Sequence, residues 1–290
     1  MIVMKGQNAF SMKKVMLFCV VFLVFSTVLY AQSDELKNSY RKNNDKNESE
    51  QTELLFEAIK NNDIIKTELC IKKGANINAK KEIAEIYWTP LAYAIDLGNA
   101  KIVTLLIKSG ADVNMTVETV TGDYQIQPIH VVVQEKTLTQ DIESWTNYQG
   151  YDRAEVLDLL IKSGADVNAR DTDDYTPLIY LMQNLNLPED LGKKKDWVKV
   201  RCADMLIQAG ADVNARNDEG FTPLMFATVY TATLEYIEPI EKECVDLLIK
   251  AGADLNAKNN NGQTALMRAL RPNYKRLKMA ELLRRAGATE

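Results

Sequence analysis

The chain carries 35 basic side chains against 40 acidic over 290 residues, a formal net charge of −5, with one histidine and four cysteines. This acidic balance lacks the basic footprint of a nucleic-acid-binding domain, so nucleic acid is excluded as an expected partner. His130 and the dispersed Cys19, Cys70, Cys202 and Cys244 do not assemble the spacing of a zinc site, and neither a metal nor a cofactor is expected.

In chain order the first element is an export signal. Lys13 and Lys14 precede an apolar run from Val15 to Leu29, and Leu29-Tyr30-Ala31 leads into polar Gln32-Ser33-Asp34. This charged, apolar, small-residue order predicts residues 1–31 as a signal peptide cut after Ala31. The run is shorter than the roughly 20 residues of a membrane span. The alternative, a membrane-tethered scaffold, keeps residues 15–30 uncleaved as an inner-membrane anchor. Cleavage removes three lysines and no acid, leaving 32 basic against 40 acidic side chains. Residues 32–50 are polar and read as a disordered, solvated leader.

From residue 51 the sequence repeats. Gly-Ala-Asp-(Val/Leu)-Asn begins at Gly110, Gly164, Gly210 and Gly252, with relatives at Gly74 and Gly287, each after an apolar run such as Leu159-Leu160-Ile161. A recurrent unit of this size predicts a solenoid whose neighbours cover one another's apolar faces. Within a unit, Thr222-Pro223-Leu224 opens a short helix, because threonine caps free amides and proline suits the first helical position. The stripe Cys244-Val245, Leu247-Leu248-Ile249 makes a second helix, ended by Gly252 in a left-handed conformation. Twelve residues separate Gly164 from Thr176, Gly210 from Thr222 and Gly252 from Thr264, the mark of a fixed turn or hairpin. The recurring Asp112, Asp166, Asp212 and Asp254 are expected to bond turn amides.

Thr-Pro-Leu at 89–91, 176–178 and 222–224, Pro128-Ile129-His130, Thr264-Ala265-Leu266 and the Gly-Ala-Asp-Val-Asn strings together resemble the ankyrin repeat, from about Glu53 to Glu290. The resemblance implies an all-α ankyrin-repeat solenoid of about six helix-turn-helix units with hairpin fingers, over about 51–83, 84–118, 119–171, 172–217, 218–259 and 260–290. It also implies a protein partner, and a structural His130 whose ring bonds the adjacent turn. The family binds through a concave face made of finger tips and exposed positions of each first helix. By register this face carries Trp88, Tyr93, Tyr175, Tyr180, Phe221 and Phe226, an aromatic ladder expected to be open to solvent, with Tyr124 on a neighbouring finger. Aromatic side chains are enriched in interface hot spots.

Departures from the ordinary repeat are insertions between paired helices. The step from the Thr position to the next Gly is 21 residues at Thr89 but 37 at Gln127, 34 at Thr176 and 30 at Thr222. These loops are expected to line one edge as a second candidate surface, with Trp145, Tyr148, Tyr151 and Trp197 on it. The fingers after Gly74 and Gly110 are longer than the rest and are expected to protrude.

The function expected is an exported, non-catalytic protein-interaction module, periplasmic or secreted, monomeric, free of the membrane after cleavage, with a partner of unspecified identity. The alternative of another class is an enzyme whose site is built by the insertions. No nucleophile elbow, phosphate loop or dinucleotide fingerprint occurs. Cys202 and Cys244 each lie eight residues before their Gly, about one repeat apart, too far for a disulfide, so buried free thiols are expected. N-terminal sequencing of protein recovered from expressing cells is expected to begin at Gln32, and a sequence that retains Val15–Leu29 would support the tethered form instead.

Overall fold

Thr89, Thr176, Thr222 and Thr264 start helices as their chemistry dictates. Each hydroxyl accepts the backbone N–H three residues on, from Ala92 at 3.2 Å, Ile179 at 3.3 Å, Met225 at 3.4 Å and Met267 at 3.2 Å. The computed structural model describes residues 37, 42, 44–134, 153–183, 196–228, 239–271 and 277–289.

Six helix pairs follow one another among the described residues. They are α1 (44–60) with α2 (Ile64–Lys72), α3 (Pro90–Asp96) with α4 (Ala100–Lys108), and α5 (Pro128–Val133) with α6 (Arg153–Lys162). The next three are α7 (Pro177–Gln183) with α8 (Asp196–Gln208), α9 (Pro223–Ala227) with α10 (Pro239–Lys250), and α11 (Ala265–Ala269) with α12 (Leu277–Arg285). The short first helices α3, α5, α7, α9 and α11 pack in one row, and α2, α4, α6, α8 and α10 in a second. Each first helix also packs on the second helix of its own unit. The core lies between the rows, where Leu91, Ile102, Leu106, Ile129, Leu157, Leu160, Leu178, Leu206, Leu224 and Leu248 are buried. The six-unit solenoid expected from the repeats is the fold observed.

The Gly-Ala-Asp-Val-Asn string does three jobs. Gly164 is left-handed (φ +89°), so its N–H donates to Ile161 O at 3.0 Å and the Ala165 N–H to Leu160 O at 3.0 Å, closing α6. The aspartate then bonds its own turn: Asp166 Oδ1 accepts the Asn168 N–H at 2.9 Å, as Asp112, Asp212 and Asp254 do for Asn114, Asn214 and Asn256. The asparagine reaches the next unit. Oδ1 of Asn78, Asn114, Asn168 and Asn214 accepts the N–H of Asp112, Asp166, Asp212 and Asp254 at 2.7–2.9 Å. In the same units the Nδ2 of Asn114, Asn168 and Asn214 donates to Gly164 O, Gly210 O and Gly252 O at 2.9–3.1 Å.

This asparagine spine is finished at both ends. The Asn256 Oδ1 accepts Thr289 N–H at 2.8 Å. At the start, Thr52 Oγ1 accepts Asn76 N–H at 2.9 Å and Asn47 Nδ2 donates to Lys73 O at 3.1 Å, so two residues of α1 stand in for a preceding unit. Here the expected leader is corrected. Residues 44–50 are helical and exposed, because they continue the register of the buried Leu55, Phe56 and Ile59 and bring Asn47 to the spine.

The two long fingers form β1 (Lys81–Ile83), β2 (Ile86–Trp88), β3 (Val117–Thr119) and β4 (Gln125–Ile126). Ala84 and Glu85, both at positive φ (52° and 64°), make the two-residue turn between β1 and β2, the pattern of a type I′ hairpin. The fingers do not protrude separately. Tyr87 pairs with Glu118 and Ile86 with Thr119, joining both hairpins into one antiparallel sheet in the order β1-β2-β3-β4. Period-two alternation puts Glu82, Tyr87, Glu118 and Gln125 on one face and Trp88, Val117 and Ile126 on the buried one.

The shorter fingers of the fourth to sixth units are tied tip to tip by Asp218 N–H to Asp173 O at 3.1 Å and Asn260 N–H to Glu219 O at 3.0 Å. Gly220 sits where they meet: it is left-handed (φ +78°), and a Cβ there would lie 2.6 Å from Asn260 Oδ1 and 3.0 Å from the Asn260 backbone nitrogen.

Replacing Asn168 by alanine removes both of its spine bonds. The groups released are near solvent, so the expected cost is about 1 kcal/mol in urea unfolding, with Asn168→Asp, which keeps the acceptor, in between. Equal stability of wild type and Asn168→Ala would contradict a stabilising role for the spine.

Candidate functional site

The aromatic ladder exists as a run of ring contacts beside the fingers. Tyr175 and Tyr180 are 5.3 Å apart between ring centres, Tyr175 and Phe226 5.7 Å, and Phe221 and Phe226 5.4 Å. In these two units one ring precedes the capping threonine, Thr176 or Thr222, and the other lies four residues after it on the first helix, which brings the two together. Tyr175 contacts Phe226 of the next unit, so the run crosses the unit boundary.

Its exposure differs from the expectation. Trp88 is 0% exposed, Tyr93 4% and Phe221 8%, and these three belong to the core. Trp88 closes the buried face of the sheet and packs on Tyr93 at 5.8 Å, and Tyr93 is covered in turn by Phe56 of α1 at 6.1 Å. Phe221 is roofed by the Arg268 guanidinium of the following unit, 4.3 Å from the ring centre. Tyr93 and Phe221 are thus each covered by a residue from a neighbouring unit. Tyr124, Tyr175, Tyr180 and Phe226 remain half-buried and form the accessible edge of the run.

A polar relay fixes this edge. Gln134 Nε2 donates to the Tyr124 hydroxyl at 2.9 Å, which is 2.8 Å from the Tyr180 hydroxyl, and Tyr180 in turn donates to Asp171 Oδ2. The other Asp171 oxygen accepts the N–H groups of Asp173 at 3.0 Å and Tyr175 at 2.7 Å. The relay ties the β3–β4 finger to α7 and to the next finger. The Tyr180 phenol is pushed far above its ordinary value, first by burial, then by its bonds to Asp171 and Tyr124.

A cleft of about 260 Å³ lies between these fingers, lined by Thr116, Gly122, Gln125, Ile126, Arg170, Asp171 and Thr172. Its polar groups already serve the fold. Thr172 Oγ1 accepts Gln125 N–H at 2.8 Å, Arg170 Nη1 donates to Arg216 O at 2.9 Å, and Asp171 is engaged as above. The cleft therefore gathers no group poised for acid–base or nucleophilic chemistry.

His130 has the structural role expected. Its Nδ1 accepts Gln127 N–H at 3.2 Å, and Nε2 lies 3.1 Å from Ala169 O and 3.2 Å from Tyr175 O, which requires the proton on Nε2. One buried imidazole thus joins α5 to the next finger. Cys70, Cys202 and Cys244 are buried thiols held in no disulfide, and burial pushes the Cys244 thiol up to about 12, so it is no thiolate nucleophile. Among the described residues no group of three or more His, Cys, Asp or Glu is arranged to hold a metal ion.

Of the second candidate surface, Trp145, Tyr148 and Tyr151 lie outside the described residues. Trp197 falls in α8, with its side chain outside them as well. Three features of the site were not anticipated from the sequence: the pairing of the two long fingers, the Tyr124–Tyr180–Asp171 relay, and Arg268 over Phe221. Arg268 occupies the same register place as Tyr93, Tyr180 and Phe226, which was the available signal.

A family profile described as ankyrin repeats in three copies matches residues 25–117 and 198–289. An ankyrin repeat protein of fowlpox virus (strain NVSL) is 31% identical over 144 residues, 46% of this chain and 21% of the viral protein. The human 2-5A-dependent ribonuclease is 38% identical over 63 residues, 22% of this chain. The chain spans about a fifth of the first relative's length and 8% of the second's. The crystal structure of an ankyrin repeat domain from Acinetobacter baumannii AYE superposes with a TM-score of 0.60 at 25% identity, covering 81% of this chain and 98% of that one.

Burial holds the His130 imidazole below its ordinary value of 6.5, partly offset by the carbonyls it serves. The unfolded chain then binds a proton that the folded chain excludes, so stability is full above about pH 7 and falls as pH drops through 6.5. Urea unfolding is expected to show this loss of stability below pH 6.5, and His130→Gln, less stable at pH 7, should lack it. Parallel pH profiles for the two proteins would contradict this.

Proposed function

The chain belongs to the ankyrin repeat family, whose repeats generally serve as protein-interaction modules, and from that premise we propose an exported, non-catalytic module that binds a partner protein along the edge Tyr124, Tyr175, Tyr180 and Phe226. The observation that carries this reading is the continuity of the edge. Four half-buried rings from three successive units lie side by side, held by Asp171 and the tied finger tips. Rings positioned in advance lose little side-chain freedom on binding, and their apolar faces give contact area. Trp88, Tyr93 and Phe221 are the buried support of this edge and make no contact with the partner.

Export is inferred from the signal-like order of residues 13–31. The three cysteines held as buried thiols are compatible with it, because burial shields them from exchange.

The test is affinity capture from the envelope fraction with mass spectrometry, followed by titration of the recovered partner. Truncating Tyr175 and Phe226 together to alanine, with folding checked by circular dichroism, is expected to weaken binding at least about tenfold. A folded double variant that binds as tightly as wild type removes the assignment of this edge.

A further inference from the structure

The rings form two groups, Phe56–Tyr93–Trp88 and Tyr180–Tyr175–Phe226–Phe221, and each carries one cation of its own. In the first, Lys81 Nζ lies 5.6 Å from the centre of the Phe56 ring, and at one end of the second Arg268 lies 4.3 Å from that of Phe221. Arg268 takes the register place that Tyr180 and Phe226 fill in the units before it, so the last unit supplies a guanidinium where the others supply a ring. Over Tyr175, Tyr180 and Phe226 no ring–cation contact occurs among the described residues; the three rings touch one another and stay half-buried.

The finger tips beside these three rings are acidic. Residues 170–175 and 216–221 hold Asp171, Asp173, Asp174, Asp218 and Glu219 against Arg170 and Arg216. Both arginines are committed. Arg170 pairs with Asp174 at 3.3 Å and donates to Arg216 O, and Arg216 donates to Lys258 O at 2.7 Å. Asp173, Asp218 and Glu219 are exposed and make no ion pair among the described residues. The backbone bonds between tips hold these three carboxylates in one row. Their field reaches the rings: the Tyr175 phenol is raised first by burial and further by Glu219, Asp218 and Asp171, and Tyr124 first by burial and further by Asp171 and Asp173.

We infer that the middle of the aromatic edge, Tyr175, Tyr180 and Phe226 beside Asp173, Asp218 and Glu219, takes an arginine-bearing extended segment of the partner protein. Its guanidiniums stack on the rings as Arg268 does on Phe221 and pair with the finger-tip carboxylates. Arginine suits the place better than lysine, since its planar group stacks on a ring and bonds carboxylates at its edge at the same time. This rests on the reading of the edge as the binding face and adds the chemistry of what binds there.

Isothermal titration of the full mature chain with three short unstructured peptides tests it: alternating Arg–Ala, Glu–Ala and Gln–Leu. The Arg–Ala peptide is expected to bind, the Glu–Ala peptide to show no binding, and the Gln–Leu peptide to bind at least about tenfold more weakly than Arg–Ala. Binding of Arg–Ala should weaken at least about tenfold in roughly 1 M salt, where the screening length is about 3 Å. The exposed, conservative Asp173→Asn/Asp218→Asn/Glu219→Gln variant should lose about tenfold or more. Equal binding of Arg–Ala by wild type and that triple variant overturns the proposal. So does preferential binding of Gln–Leu, and if hydrogen exchange maps that peptide to the same edge, the edge survives as the binding face and only its cation chemistry fails. Absence of binding by all three peptides also overturns it, leaving the edge itself to the partner titration with the Tyr175 and Phe226 truncations.

Discussion

Asn168 grips two units at once. Its side-chain oxygen accepts the amide of Asp212 and its nitrogen donates to the carbonyl of Gly210, so one amide group fixes both the distance and the register of the next helix pair. Asn114 and Asn214 repeat the same pair of bonds, and the oxygens of Asn78 and Asn256 extend them to the second unit and to the C-terminal end. An amide is suited to this because it offers a donor and an acceptor side by side. In a solenoid each unit touches only its neighbours, so local register is the only information passed along the chain. The stacking of the first helices, the meeting of finger tips and the spacing of the aromatic rings all inherit it.

The rings show how a repeated position serves packing and recognition together. Trp88 meets Tyr93, Tyr175 meets Tyr180 and Phe221 meets Phe226, but what covers each pair depends on the neighbouring unit: Phe56 closes over Tyr93, and Arg268 over Phe221. Tyr180 is held from one side by Tyr124 and Asp171 and stays open on the other. Burial gives the run its rigidity, and incomplete burial leaves the edge that can bind.

Much of this was legible in the residues. The Thr-Pro starts, the glycine stops and the structural histidine follow from local chemistry that acts within a few positions, and the structure reproduces them. Register also placed the right rings in contact. Exposure was not legible, since it depends on atoms one unit away: nothing near Trp88 in the sequence says that the second finger pairs with the third and seals it in the core. The asparagine at the end of each motif carried a signal in its recurrence, but its partners lie 33 to 52 residues on. The polar composition of residues 44–50 pointed to a leader, yet helix continuity and the bond from Asn47 to Lys73 O made them part of the first helix.

Ankyrin repeats generally serve as protein-interaction modules, and the binding proposed for this chain lies where the repeat departs from its average. The insertions between helices are one such departure, and the aromatic edge beside acidic finger tips is the one whose geometry is defined. Hydrogen–deuterium exchange of the full chain with and without its captured partner tests this central claim most directly. The account predicts added protection in residues 170–180 and 216–226, with α6 and α10 unchanged. Protection confined to α4, α6, α8 or α10, with both finger segments exchanging as in the free protein, would contradict it.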